Sequence, residues 1–255
     1  MKKISLIAAL ALSAVMLAGC TPKNTVHSVS DLEGKSIGVQ LGTTGIIFAK
    51  DVQGADIQNY ITGEEAVEAL IKGDIDAVII DKDPAEVFVQ NHKELQILPD
   101  PFADEEYAIA VSLTNTELQS QINDTLSTLK SDGTIDNIMN SWLGGNTAKY
   151  VSPSDVVRDN GTLVMSTNAE FAPYESFEGD KIVGIDVDIM QAVCDNLGMD
   201  LEIYNTDFDR IIPDVATGQV DVGVAAITIT EEREKSVLFS DPYASSVQVI
   251  ITRKD

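Results

Sequence analysis

The stretch VDVGVAAITITEEREKSVLFSDPY, residues 220–243, begins with an apolar run and continues into a polar segment. Its first residues, Val220 to Ala225, are apolar and rich in β-branched side chains, which predicts a buried strand. Thr228 and Arg233 follow soon after that strand, at the edge where open α/β sheets bind ligands. Arg233 could grip a carboxylate with its planar fork, or it could pair with the two glutamates before it on a solvated turn.

Two more expected strands end in polar residues in the first half of the chain. A strand over Lys35 to Leu41 runs into the turn Gly42-Thr43-Thr44-Gly45, a geometry that directs free N–H groups at an anion. The turn has no P-loop lysine and no GxGxxG pattern, so a small carboxylate fits it better than a phosphate or dinucleotide. A strand over Ile75 to Ile80 ends at Asp81, which could hold an ammonium group or cap the helix that begins near Pro84.

One supersecondary pattern occurs in both halves of the sequence. Residues 66–81 and residues 214–226 each contain a helix end, a glycine, a β-branched residue, an aspartate and a buried strand, in that order. This repetition predicts two lobes of similar α/β build, each with a predominantly parallel sheet. The two lobes would face each other across a cleft, with Arg233 and Thr228 on one wall and Asp81 with the glycine turn on the other.

Aromatic residues occur where polar ones are expected in the second half. Phe171 lies in the loop from Thr167 to Tyr174, and it could be a stacking wall for a ligand or an ordinary rim residue. Phe208 opens a helix that contains Pro213 in its early turns.

The first residues have the pattern of an export signal. Lys2 and Lys3 precede an apolar run too short to span a bilayer permanently, and the run ends in Leu17-Ala18-Gly19-Cys20. We expect residues 1–19 to be a lipoprotein signal peptide and Cys20 to become the lipidated first residue of the mature chain. An ordinary secretory peptide with a chance cysteine is the alternative.

The net charge and the cysteine content of the chain argue against several classes of function. The full chain has 255 residues and a formal net charge of −24, which becomes −26 when Lys2 and Lys3 leave with the signal peptide. Such an acidic chain is a poor candidate for nucleic acid or anionic lipid surfaces. Cys194 would be the single cysteine of the mature chain besides Cys20, and its apolar neighbours predict a buried side chain rather than a nucleophile.

Catalytic and metal-binding patterns are weak. The two histidines lie in polar segments near no serine or cysteine motif, and acidic pieces such as Asp81-Lys82-Asp83 lack calcium-loop spacing. We therefore expect no enzyme activity, no cofactor and no metal.

Six separated stretches carry a specific combined pattern: GKSIGVQLGTTG, GDIDAVIID, TNAEFAPYESF, VGIDVDIMQAVCDNLGMDLEI, FDRIIPDVATGQVDV and AITITEEREKSVLFSDPY. Together they resemble the polar amino-acid-binding family (family 3) of ABC-importer solute-binding proteins, over nearly all of residues 30–255. The resemblance implies the two-lobed, type II periplasmic-binding-protein-like α/β fold. It also implies capture of a polar amino acid for an importer permease, by a monomer anchored outside the cytoplasm on the bacterial cell membrane through lipidated Cys20.

The resemblance also implies roles for individual residues. Arg233 would grip the ligand α-carboxylate, while Asp81 would bind its ammonium group. The remaining matches are Thr228 and the backbone of Ala226 for carboxylate and ammonium, Thr43 and Thr44 as donors from the other lobe, and Phe171 and Phe208 as aromatic walls. Asn168 replaces an acidic residue that several binders of cationic and other polar amino acids carry, although Glu170 nearby could compensate. Glutamine, cystine-like ligands and other polar amino acids therefore remain open.

The order of the stretches differs from that of the family and resembles a circular permutation. We expect a signal peptide at 1–19, a lipid anchor and tether at 20–30, one lobe (lobe 2 of the family) at 31–105 and the other (lobe 1) at 106–255. Lobe 1 would comprise a hinge crossing at 106–113, the family's final helices at 114–145, a join of its old ends at 146–160 and its amino-terminal part at 161–255.

The permutation leads to a further expectation about the hinge. Only the crossing near Tyr107 to Leu113 would remain covalently continuous, so the open state should be more mobile than in an unpermuted relative, with fast hydrogen exchange over Val247 to Thr252. Two alternative functions use the same fold: a cyclohexadienyl-dehydratase-like enzyme with Glu170 or Glu175 as general acid, and a ligand-sensing receptor lobe.

Overall fold

The computed structural model describes residues 23–144 and 149–255. Two α/β lobes each contain their own sheet, and a small three-stranded antiparallel sheet is attached to the second lobe. The expected signal peptide and Cys20 lie outside the described residues, as do parts of the expected tether and join. No helix among the described residues is long and apolar enough to cross a membrane.

Strands and helices alternate regularly through the first part of the chain. The strands are β1 (Ser36–Gln40), β2 (Asp56–Tyr60), β3 (Ala77–Asp81), β4 (Leu95–Ile97), β5 (Ala103–Tyr107), β6 (Ala110–Ser112), β7 (Thr162–Thr167), β8 (Glu170–Phe171), β9 (Glu175–Glu178), β10 (Lys181–Val183), β11 (Asp200–Asn205), β12 (Val222–Gly223), β13 (Val237–Phe239) and β14 (Ala244–Arg253). The helices are α1 (Gly45–Lys50), α2 (Gly63–Lys72), α3 (Lys82–Asn91), α4 (Thr116–Ser131), α5 (Thr134–Leu143), α6 (Ile185–Leu197) and α7 (Phe208–Ala216).

The first lobe is built on the sheet β2-β1-β3-β14-β4, with β5 also paired to β14. The strands β2, β1 and β3 are parallel, whereas β14 runs antiparallel to β3, β4 and β5. Every residue of β3 is buried, which agrees with its continuous apolar sequence. The carboxyl ends of β1 and β3 therefore open together toward the second lobe.

The position of β14 corrects the expected lobe boundaries. Residues 106–255 were expected in one lobe, but β14 lies in the middle of the first lobe's sheet, where Ile251 pairs with Val78 on one side and with Ile97 on the other. The chain thus crosses between the lobes twice, at residues 108–109 and at residues 240–243. The expectation of one covalent crossing is wrong, because strand pairing between such distant segments is not visible in local sequence patterns.

The two crossings also bind each other directly. Tyr243 N–H donates to the carbonyl oxygen of Tyr107 at 2.8 Å, and Ser240 N–H donates to that of Ile109 at 2.9 Å. The hinge is therefore a two-stranded ribbon, which gives no reason for exceptional mobility of β14.

The second lobe has the sheet β11-β7-β12-β6-β13, in which β11, β7 and β12 are parallel and β6 and β13 are antiparallel additions. The strand expected over Val220 to Ala225 is shorter, since β12 ends at Gly223 and the backbone turns to a positive φ of 46° at Ala226. Helix α6 packs behind this lobe and buries Cys194, whose pKa burial raises to about 12. An inert, buried thiol was expected there.

The repeated sequence pattern has a repeated structure. Asp76 and Asp221 each precede the strand of their unit, and each exchanges two hydrogen bonds with the neighbouring strand. Asp76 N–H donates to Ser36 O at 2.8 Å and its carboxylate accepts from Ser36 N–H at 3.1 Å. Asp221 N–H donates to Val164 O at 3.0 Å and its carboxylate accepts from Val164 N–H at 2.7 Å. The two lobes are therefore built on one local plan.

Candidate functional site

A small cavity lies between the lobes, at the carboxyl ends of β1, β3 and β12. The first lobe contributes polar and acidic groups, and the second contributes aromatic, small and cationic ones. The lining residues are Gln40, Thr43, Thr44 and Asp81 from the first lobe and Phe171, Phe208, Ala225, Ala226, Thr228 and Arg233 from the second.

Arg233 lies across the mouth of this cavity. Its Nη1 donates to the carbonyl oxygen of Thr228, its Nη2 donates to that of Gly42 in the other lobe at 2.9 Å, and its guanidinium lies 5.5 Å from the centre of the Phe208 ring. Desolvation lowers its pKa to about 10, so the group stays charged at neutral pH. The alternative pairing with neighbouring glutamates is not observed, because Glu232 pairs with Lys235.

Thr228 and Ala226 lie on the loop that carries Arg233. The backbone N–H of Ala226 donates to the Asp186 carboxylate at 2.7 Å, and the hydroxyl of Tyr243 donates to the other oxygen of that carboxylate at 2.8 Å. Ala226 has a positive φ, which is strained for a residue with a side chain. Asp186 therefore holds the binding loop in a conformation it would not adopt alone.

Asp186 shares its buried position with a second carboxyl group. Both Asp186 and Glu175 are fully buried. Burial raises the pKa of Asp186 to about 6, and burial together with the nearby Asp186 charge raises the pKa of Glu175 well above its ordinary value. The two carboxyl groups behind the binding loop can therefore take up a proton, and neither of them lines the cavity.

Asp81 stands at the end of β3 with 6% of its surface exposed. It occupies the position before α3, but its side chain makes no capping hydrogen bond to that helix. The hydroxyl of Tyr107 donates to Asp81 Oδ1 instead. The helix-capping alternative is therefore not observed, and the carboxylate is directed at the cavity that it lines.

Glu105 lies beside Asp81 and was not identified from the sequence. It is 4% exposed and accepts hydrogen bonds from the hydroxyl of Thr44 and, at 2.8 Å, from Gln248 Nε2. Burial is the main reason that the pKa of Asp81 lies well above its ordinary value, followed by its hydrogen bond and charge interaction with Glu105. The signal was available in the alternation of β5, where Glu105 shares a face with buried Tyr107 while Glu106 points to solvent.

Phe171 and Phe208 both line the cavity, as expected from the resemblance. Phe171 is only 8% exposed, which fits a wall rather than a rim residue. Its ring lies 6.5 Å from that of Tyr174, which in turn packs edge-on against Tyr107 at 5.2 Å. One side of the cavity is thus continuous with the aromatic core.

Direct hydrogen bonds join the lobes around the cavity. Besides the Arg233 bond to Gly42, Gln40 Nε2 donates to Asn168 Oδ1 at 3.1 Å, and the hydroxyl of Tyr174 donates to Asp83 Oδ2 at 2.7 Å. These bonds describe a closed arrangement of the two lobes.

Gly42 contributes to this closed arrangement through its backbone. It has a φ of 83°, and a Cβ atom built on it would lie 3.0 Å from Cα of Asp209 in the opposite lobe. A side chain at this position would be both conformationally strained and pressed against the other wall.

Eight of the ten residues expected at the ligand site line the cavity, and Asn168 and Glu170 do not. Asn168 is buried and uses its amide group to join Gln40 and the carbonyl oxygen of Thr206. Glu170 is exposed on β8. Gln40 and Ala225 line the cavity without having been identified from the sequence. No group of three or more potential metal ligands occurs among the described residues.

Comparison with known proteins identifies a family pattern in part of the chain. Residues 163–255 match the model of the bacterial extracellular solute-binding proteins, family 3. This segment contains Phe171, Phe208 and Arg233, the aromatic and cationic side of the cavity.

Similar proteins are named as amino-acid binders. The arginine-binding extracellular protein ArtP of Bacillus subtilis is 39% identical over 93 residues, covering 36% of each chain. The L-cystine-binding protein TcyJ of Escherichia coli K12 is 28% identical over 129 residues, covering 50% of this chain and 48% of that one. The chain thus aligns with about a third to a half of the length of these relatives.

A solved structure gives a further partial match. The arginine-bound form of domain 1 from TmArgBP is 35% identical, with 40% of this chain and 87% of that chain covered and a TM-score of 0.33. The two relatives from Bacillus subtilis and Escherichia coli are named as binding proteins, and they give no support to the dehydratase alternative.

Proposed function

We propose that this protein captures a polar amino acid between its two lobes and delivers it to the permease of an ABC importer. The observation that carries the proposal is the placement of Arg233 and Asp81, which line one cavity from opposite lobes. Burying either charged end of a zwitterion costs roughly several kcal/mol of lost hydration. A hydrogen-bonded group of opposite charge in the cavity offsets this cost. Only a ligand with both a carboxylate and an ammonium group can bind Arg233 and Asp81 at once, so a zwitterion favours closure of the two lobes.

The chemistry of the remaining walls is consistent with a small polar side chain. Phe171 and Phe208 supply flat apolar surface, and Gln40 offers an amide at the edge. Relatives named for arginine, histidine and cystine support a polar amino acid as the class of cargo. Asn168 is uncharged and does not line the cavity, so it supplies no acidic group for a cationic ligand side chain, which favours glutamine and other neutral ligands.

We also propose that the chain is a circular permutant of its family, anchored through lipidated Cys20. Each lobe has its own sheet, and a two-stranded hinge joins the lobes. The resemblance implies a different order of the six sequence stretches in the family, which a permutation would explain. Residues 27 and 255 are neighbours in space, with His27 Nδ1 3.9 Å from Asp255 Oδ1, so a link between them in an unpermuted relative needs little chain.

Calorimetric titration tests the capture function. The protein, unfolded and refolded to remove carried-over ligand, is titrated with the standard amino acids, cystine and prephenate. We expect saturable binding of an amino acid and no turnover of prephenate.

A pair of variants ties that binding to the cavity. Arg233→Ala should weaken binding about 100-fold or more, because removing one partner of a buried charge pair costs about 3–5 kcal/mol. Lys235→Ala, an exposed cation two residues away, should bind normally. Equal affinity of the two variants, or no binding of any amino acid by the parent protein, would contradict the proposal.

A further inference from the structure

A second buried acidic group, Glu105, lies behind the cavity wall, where it accepts a hydrogen bond from the hydroxyl of the lining residue Thr44. Asp81 and Glu105 are both buried. Gln248 of β14 pairs with Asp81 in the sheet, and its Nε2 donates to Glu105 at 2.8 Å, so the two carboxyl groups are neighbours. Two ionised carboxylates in such contact repel strongly, and a shared proton removes that repulsion.

Glu105 accepts hydrogen bonds at both of its carboxylate oxygens, whereas Asp81 accepts one at Oδ1. Glu105 Oε1 accepts from the hydroxyl of Thr44 and Oε2 accepts from Gln248 Nε2, while Asp81 Oδ1 accepts from the hydroxyl of Tyr107. A proton on the other oxygen of Asp81 can be donated to the neighbouring Glu105.

The other charged and titratable groups around Asp81 do not replace that proton. Arg233 faces the pair from the opposite lobe, but its Nη atoms donate to two backbone carbonyl oxygens. Tyr174 from the second lobe donates to Asp83, and Glu175 behind it is a buried acid whose raised pKa favours its neutral form. Neither the tyrosine hydroxyl groups nor the neighbouring acids supply a positive charge to Asp81 and Glu105.

Resting on the proposed function, we propose that Glu105 is a further residue of the ligand site, and that Asp81 and Glu105 share a proton which they release when the ammonium group of an amino acid binds. In that step the carboxylic O–H bond breaks and its proton passes to solvent. The ligand then donates an N–H hydrogen bond to the carboxylate that remains. Ligand and proton compete for one site, so affinity rises with pH until the pair is ionised in the free protein.

The raised pKa of Asp81 agrees with this competition in sign. A group protonated in the empty cavity and ionised in the complex gives up a proton on binding.

Calorimetry in buffers of different ionisation enthalpy measures the release directly. The purified protein is titrated at pH 6.5 with L-arginine, L-histidine, L-glutamine and L-cystine in turn, in phosphate and in an imidazole buffer. For an amino acid that binds, the difference in heat should correspond to release of about one proton per ligand. Equal heats in both buffers would overturn the inference and leave amino-acid capture intact, whereas absence of binding with all four would overturn the inference for these ligands.

Variants then identify the groups responsible. Glu105→Gln should release a smaller fraction of a proton per ligand than the parent, because the charge and the hydrogen bond of Glu105 no longer favour the protonated form of Asp81, although burial still does. Glu106→Gln, on the exposed face of the same strand, should release protons as the parent does. Undiminished release from Glu105→Gln would exclude this pair as the source. If Glu105→Gln does not fold, the parent protein decides: its affinity should rise several-fold between pH 5.5 and pH 7.5, and a flat profile would overturn the inference.

Discussion

The two lobes bring the same local structure to the cleft but opposite chemistry. In each, an aspartate ties the start of a buried strand to its neighbour, through Asp76 in the first lobe and Asp221 in the second. The first strand then continues to Asp81, whereas the second stops at Gly223 and leads into the loop that carries Arg233. The common plan fixes where the walls lie, and the residues just beyond each strand decide which charge each wall presents.

The comparison also shows how differently the two charges are held. Asp81 is part of a strand and lies among buried side chains, so its backbone is fixed by the sheet. Arg233 extends from a loop whose conformation depends on the bond between Ala226 and the Asp186 carboxylate. The cationic wall should therefore be the one that is more sensitive to changes behind the site.

Asp186→Asn tests that sensitivity and should have a larger effect than a substitution at Gly42 or Tyr174. The amide leaves one donor, Ala226 N–H or the Tyr243 hydroxyl, without its acceptor, at about 1–3 kcal/mol. We expect amino-acid affinity to fall about tenfold in calorimetric titration. Asp188→Asn, on the same helix but bonded to Trp142 and the backbone of Tyr150, should destabilise the fold without a comparable loss of affinity.

The same substitution should alter the pH dependence of stability. Burial raises the Asp186 pKa to about 6 in the folded protein, above its unfolded value, so the folded state holds the extra proton between about pH 4 and pH 6. The free energy of unfolding should therefore fall as pH rises through this window, by about 2–3 kcal/mol from this group. Urea unfolding at several pH values should show a smaller fall for Asp186→Asn, and parallel curves would contradict the assignment.

Gly42→Ala tests the opposite wall. Its positive φ disfavours a side chain by about 1–2 kcal/mol, and its Cβ would press on Asp209 across the cleft. Gly34→Ala is the matched control, because Gly34 has a φ of 69° but open space around it. Both variants should unfold at lower temperature, while only Gly42→Ala should weaken amino-acid binding, about fivefold. Equal affinities would show that close approach at Gly42 does not matter for closure.

Tyr174→Phe should have the smallest effect, since it removes one hydrogen bond between the lobes and leaves both charged walls intact. A typical intramolecular hydrogen bond contributes about 1 kcal/mol net, and this one is only partly buried, so we expect affinity to fall about two- to fivefold. Tyr150→Phe removes a comparable bond to Asp195 away from the cavity and should leave affinity unchanged. A loss of equal size in both would point to general destabilisation.

Local sequence patterns predicted the features that depend on near neighbours. The strand ending at Asp81, the glycine turn at Gly42 and the placement of Arg233 after a strand all follow from short-range periodicity and turn chemistry. The position of β14 did not, because nothing within Ala244–Arg253 indicates which distant strands it joins. Glu105 was missed because a run of acidic residues is typical of a solvent-exposed segment. Only the alternation of side chains along β5 indicates that Glu105 lies on the buried face.

The position of β14 has a consequence for how the chain is made. The first lobe begins with β1 and has β3 by residue 81, yet the strand between β3 and β4 ends at Arg253. During synthesis from the amino end, that sheet lacks the strand between β3 and β4 until β14 has been made, while the strands of the second lobe's sheet are already complete at Phe239. The second lobe can thus fold first, as an insert within an unfinished neighbour. Closure of a contact as distant as Val78 to Ile251 is the slow kind of step, so the first lobe should be the late one to fold.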